Sequence, residues 1–390
     1  GPGAFIGCKN LADVKYSSSL TTVPNTAFRE TALTKFTVTS NVTSIGDSAF
    51  YGATKLVDFV IENRDSNLKF GNYALFKTAI KEVLWGDLDV TISGSIFAQC
   101  TSLVKVVLPE TVTEVPNAAF QGCSLLKDIT FEGGYTKIGN SGFAGTAYTE
   151  FEVPETVESI SNSAFSNMPN LKKLVINCYL PKIVLGLCAN DAALEEIVLQ
   201  PGYTDIFSTA FQGCSSLKSF VVAEGCVTIG NKAFSDCTSL EEVTLPSTFN
   251  TGNNNMFKNC TSLKKIYLNS KEAVNWQAGQ TVTYKAFAGV DSVEIIASAD
   301  SYFASSNDGI IYSADYKQIE YVFDNPTAYV DGFYTMRSEV ESIVKRAFMG
   351  QKMTGMALSE NLKEIGDYAF DSAAITELNI PASLEVIGAF

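Results

Sequence analysis

Hydrophobic residues recur along this chain on two periods at once. Over short stretches they alternate with polar ones, as in Leu103, Val106 and Leu108, and that local pattern returns every 22 or 23 residues. Alternation predicts a half-buried strand, and a fixed longer period predicts a stack of like units. The long period is clearest on an Ala-Phe pair. Phe28, Phe50, Phe97, Phe120, Phe143, Phe165, Phe211, Phe234 and Phe257 take one equivalent position. Phe5 precedes them, and Phe287, Phe348, Phe370 and Phe390 follow. Phe76 and Cys188 are assigned to the same slot in two less regular repeats.

Residues 100–120 show the elements this pattern predicts. Leu103, Val106 and Leu108 spell L-x-x-V-x-L, a short strand with Val106 and Leu108 pointing inward. Pro109 has no N–H to donate and closes the strand. Val112 and Val115 lead the chain along the far wall, and Ala119-Phe120 are expected on a short helical turn that plugs the interior. Successive strands should then form one long parallel sheet, about 4.8 Å apart. The expected fold class is therefore a β-rich repeat solenoid.

The period organises the whole chain. Residues 1–297 divide into repeats, and 337–390 continue them. Between them, 298–336 are irregular and rich in aromatics. Asp308-Gly309 is a turn signal there, and Ile310–Tyr312 with Ile319–Phe323 suggest a hairpin around Ala314–Lys317. Both ends of the chain fall within repeats, so it is expected to be a trimmed fragment.

The repeat I-G-x-x-A-F-x-x-C-x-x-L-x-x-V-x-L-P is written most fully in Ile45-Gly46-Asp47-Ser48-Ala49-Phe50, in Ile229 through Leu240, and in Ile365 through Phe370. It resembles the BspA-like family of leucine-rich repeats over nearly the whole chain. That resemblance implies a curved right-handed leucine-rich-repeat solenoid on a secreted or surface-attached protein. It also implies relatives that adhere to host matrix proteins or to other cells, and no shared catalytic residues.

Composition narrows the chemistry. The net charge of −14 argues against nucleic acid as a partner, because such binding rests on cationic neutralisation of phosphates. No apolar run approaches the roughly 18 residues of a membrane span, so no membrane insertion is expected. The chain has no histidine, which removes Ser-His-Asp and Cys-His nucleophile systems and the commonest transition-metal ligand. Six of the nine cysteines, Cys8, Cys100, Cys123, Cys214, Cys237 and Cys260, sit three residues after the phenylalanine slot. Without a C-x-x-C pair they read as buried structural thiols and not as a metal set. No metal, cofactor or catalytic residue is expected.

Charged pairs follow the repeat leucine in consecutive repeats: Lys172-Lys173, Glu195-Glu196, Lys218-Ser219, Glu241-Glu242, Lys264-Lys265. Side by side on parallel strands, they alternate in sign and should fix register. Asp128 with Glu150 is the best carboxylate pair for glycosidase chemistry, but both read as members of the same ladder.

The strand position between the two inward residues is the surface most open to a partner. Val60, Leu84 and Val107 form one apolar run there, Val175, Val198 and Val221 another, and Tyr267 falls on the same line. Trp276, in a small expansion before Phe287, is a candidate anchor. The expected function is a non-enzymatic extracellular module that presents a concave sheet to a host or cell-surface protein or glycan. A passive spacer is the alternative. The sequence sets no oligomeric state.

Overall fold

In the computed structural model, residues 1–17, 19–62, 67–278 and 285–389 are described; Phe390, the last expected repeat mark, lies outside them. The described residues contain strands and turns and no helix. They form two compact units, one of residues 1–180 with 184–200, the other of 181–183 with 201–390.

Both units are built by the same rung. A strand of two to four residues carries alternating burial, as in Lys105–Leu108, where Val106 and Leu108 are buried. A second, two-residue strand such as Glu114–Val115 crosses the opposite wall. Each pairs in parallel with its counterpart in a neighbouring rung: Val106 stands opposite Ile129, and Val115 opposite Ile138.

The phenylalanines form the column that the period predicts. Phe97, Phe120, Phe143 and Phe165 stack at 5.8, 5.9 and 5.7 Å between ring centroids. In the second unit Phe211, Phe234, Phe257 and Phe287 stack at 5.2, 5.1 and 5.3 Å. One assignment needs correction. Leu75, fully buried, fills the slot between Phe50 and Phe97; Phe76 lies one residue further on, half-buried and stacked on Tyr51. Backbone pairing decides the register, because Leu75 N–H donates to Ile96 just as Phe97 N–H donates to Ala119.

The turn bearing each phenylalanine is not helical. Ala119, Gln121 and Cys123 N–H groups bond three residues back within the rung, whereas Ala118, Phe120 and Gly122 N–H groups bond to Asn140, Gly142 and Ala144 of the next rung. Alternate amides thus close tight turns and tie rungs together, a pattern no α-helix allows. It needs left-handed backbone at Ala118 and Gly122, with φ of 52° and 73°. The glycine of the Ile-Gly pair answers to packing instead. A Cβ on Gly139 would stand 2.6 Å from the Asn117 backbone nitrogen, so rungs meet there without room for a side chain.

The irregular segment packs as part of the second unit. Ile310–Tyr312 and Gln318–Val322 form an antiparallel hairpin whose second strand pairs in parallel with Ser342–Ile343. Tyr321 and Phe323 lie at 5.4 and 5.1 Å from the Phe287 ring, in the core.

Candidate functional site

The outward face of the longer strands is where the structure gathers the candidate residues. In the first unit Leu84 is opposite Val107, and Val175 opposite Val198. Val60 is opposite Thr37. In the second unit Val221 is opposite Thr244, which is opposite Tyr267. Exposure differs along the face: Val60 is 43% exposed, Leu84 59%, Val198 38% and Val221 70%, whereas Val107, Val175 and Tyr267 are half-buried.

The expected continuous run Val60–Leu84–Val107 is interrupted. Lys35–Val38 and Asp58–Ile61 pair with each other alone, and Glu82–Leu84, Lys105–Leu108 and Asp128–Phe131 form a separate ladder. A second interruption follows, and Glu150–Val153, Lys173–Ile176 and Glu196–Leu199 form a third. The rungs remain joined elsewhere: Ala79 N–H donates to Leu56 O, and Leu68–Phe70 still pairs with Val90–Thr91. Only the strand column opens.

A groove of about 550 Å³ lies at the first opening, with Val57, Val60, Ile61, Leu84, Trp85 and Leu88 in its walls. Phe59 and Ile61, inward by alternation, are only half-buried because the neighbouring strand does not cover them. The second opening is filled by aromatics. Tyr148 brings its hydroxyl to the Ile129 backbone, its burial holding the phenol well above the usual range, and Phe151 packs on Tyr148 at 4.8 Å. Asp128 and Glu150 face this second opening on strands that do not pair.

Trp276 requires correction as an anchor. It is 3% exposed, and Phe249, Phe287, Phe303 and Tyr321 surround its ring. Its Nε1 has no hydrogen-bond partner among the described residues. The expansion it sits in supplies an extra core ring, a role that its position near a repeat irregularity does not reveal.

The cysteine slot is an interior feature. Cys100, Cys123, Cys237 and Cys260 are buried, and their thiols donate to the carbonyls of Leu75, Phe97, Phe211 and Phe234, one rung back. Burial raises all four thiol pKa values, Cys100 to about 11 and Cys237 to about 12. Such thiols are poor nucleophiles. Cys8 is exposed, and no two cysteines are bridged among the described residues. Asp191 takes the same slot one rung after Met168. It is fully buried, accepts the Met168 N–H at 2.7 Å, and burial lifts its carboxyl to about 9. Nothing in the repeat pattern announces it. Among the described residues no cluster of three metal-ligating side chains occurs, and no helix is long and apolar enough to cross a membrane.

The geometry defines a class: a parallel β-solenoid of 22–23-residue rungs with a ribbed outward strand face. The model of the BspA type leucine rich repeat region matches residues 1–103, 90–215, 181–306 and 319–390, and the chain belongs to this family. Among solved structures it is similar to a leucine-rich repeat protein from Bacteroides ovatus, at 22% identity over 69% of this chain and 81% of that one, TM-score 0.49. A leucine rich cell surface protein from Faecalibacterium prausnitzii is 23% identical over 69% and 86% of the two chains, TM-score 0.44. The pneumococcal vaccine antigen PcpA is 15% identical over 95% and 79%, TM-score 0.44. The search of curated proteins found no match.

Proposed function

We propose that this chain is the binding module of a cell-surface protein and engages a host or cell-surface protein through its outward strand face. One observation carries the reading. Val57, Val60, Leu84 and Val104 are large apolar side chains, each more than a third exposed, on neighbouring rungs of the first unit. Water-exposed apolar residues that cluster in this way mark interaction surfaces, and repeat stacks bind along their extended faces. The rung needs inward residues for its core and makes no such demand on the outward ones. Leu84 and Val221 are therefore dispensable for folding.

The test is capture of surface proteins from a cell or matrix extract by the chain and by Leu84→Asp and Val221→Asp variants. The reading expects one variant to lose the captured protein while its thermal unfolding stays within about 0.5 kcal/mol of the parent. Capture unchanged in both, with both folded, contradicts it.

A further inference from the structure

The openings in the strand column follow the charges. At the first strand position the closed ladders read Lys35–Asp58, then Glu82–Lys105–Asp128, then Glu150–Lys173–Glu196. Wherever strands pair, opposite charges adjoin, and Lys105 and Lys173 reach Asp128 and Glu196 at 3.4 and 2.9 Å. Each opening falls where two acids would stand side by side: Asp58 before Glu82, and Asp128 before Glu150. Like charges directly opposite one another weaken strand pairing. The second unit supplies a control. Its ladder reads Ser219–Glu242–Lys265–Glu294, with no two acids adjacent, and it is unbroken over four strands.

We infer that the opening between the Asp58–Ile61 and Glu82–Leu84 strands is a slot for an extended, apolar peptide strand that carries a lysine between Asp58 and Glu82. This deepens the strand-face reading and rests on it. Three features define the occupant. No backbone hydrogen bond links the two strands. Asp58 and Glu62 N–H groups donate to the preceding rung, so by alternation Phe59 and Ile61 turn their amides to the slot. Trp85 N–H donates to Val107 in the following rung, so Leu84 turns its amide to the slot from the other side. A strand entering there would bond to both edges, as in β-strand addition.

The apolar walls select apolar side chains on that strand. The two facing carboxylates select a cation between them, restoring the lysine-between-acids order of the neighbouring ladders. The second opening does not offer this slot, because Tyr148, Phe131 and Phe151 occupy it.

The chain contains a template for the occupant in residues 102–110, whose strand lies between two acid-bearing strands with Lys105 opposite both Glu82 and Asp128. The probe is a capped synthetic peptide copying residues 102–110, titrated calorimetrically into the whole chain, with the same peptide carrying Lys105→Glu as comparison. Binding should weaken about tenfold for the glutamate peptide, as two attractive cross-strand charge pairs become repulsive. The Asp58→Lys chain, checked for unchanged circular dichroism, should weaken the lysine peptide by a similar factor. Residue-resolved amide exchange should slow at Phe59, Ile61 and Leu84 when the lysine peptide is bound.

No binding of the lysine peptide, equal binding of both peptides, or slowed exchange elsewhere would overturn the slot. Loss of partner capture by Leu84→Asp alongside any of those results leaves the strand-face reading standing and the slot alone refuted. Peptide binding at the slot together with full capture by Leu84→Asp refutes the strand-face reading instead.

Discussion

Single positions show how much the rung tolerates. The slot after each phenylalanine accepts cysteine or threonine because either can donate to a backbone carbonyl: Thr31, Thr78 and Thr146 hydroxyls donate to Phe28, Leu75 and Phe143 of their own rung. Asp191 departs from that logic. Its Oδ2 has no partner among the described residues, and its carboxyl titrates near 9 in place of the ordinary 3.8. The folded state holds that proton more tightly, so its stabilising contribution is complete below about pH 4 and is lost as pH rises toward 9. Asp191→Asn keeps an acceptor for the Met168 N–H and removes the titration. The variant should match the parent near pH 4 in urea unfolding and exceed it by on the order of a few kcal/mol at pH 8. Equal midpoints at both pH values would place the Asp191 carboxyl in contact with water. The sequence discloses the slot, since spacing alone sets it, but not the burial of a carboxylate within it.

Elements were legible where their cause is local. Strand positions follow from alternation, and the Ile310–Tyr312 hairpin partner lies where Asp308-Gly309 and the flanking β-branched runs suggest. The phenylalanine turn was not legible as its true form. Whether an amide bonds within its rung or to the next depends on neighbours 22 or 23 residues away, which local propensity does not sense. The same distance effect misplaced the slot at Phe76, because an Ala-Leu-Phe run offers two apolar candidates and only inter-rung pairing chooses Leu75. This makes a comparison. Phe120→Ala removes a fully buried ring stacked on both sides and should cost ~3–5 kcal/mol. Phe76→Ala removes a surface stacking partner of Tyr51 and should cost ~0.5–1.5 kcal/mol. Denaturant titration measures both, and equal losses would return Phe76 to the core.

At the scale of the molecule, the chain is a sum of neighbouring contacts and not one central core. Repeat stacks respond to damage locally. Phe143→Ala should therefore lower amide protection through residues 97–165 of the first unit and leave 211–287 of the second at parent values. Uniform loss of protection over both units would mean that they unfold as one. The acidic surface enters at this scale too. With a net charge of −14 the chain must place its lysines where acids adjoin, and the ladders Glu82–Lys105–Asp128 and Glu242–Lys265–Glu294 do so. Charge alternation was visible in the sequence. The opening between Asp58 and Glu82 was not, because a repeat pattern reports what each rung contains and not whether two rungs close. For the same reason Val60, Leu84 and Val107 were grouped as one run.

The central claim is that a repeated phenylalanine slot ties rung to rung while the strand column in front of it is free to open. Native-state amide exchange resolved by residue tests it most directly. The account predicts slow exchange at Phe50, Leu75, Phe97, Phe120 and Phe143, whose amides bond across rungs, and fast exchange at Phe59, Ile61 and Leu84. Protection that fails to recur at the slot, or equal protection at Phe59 and Val106, would contradict it.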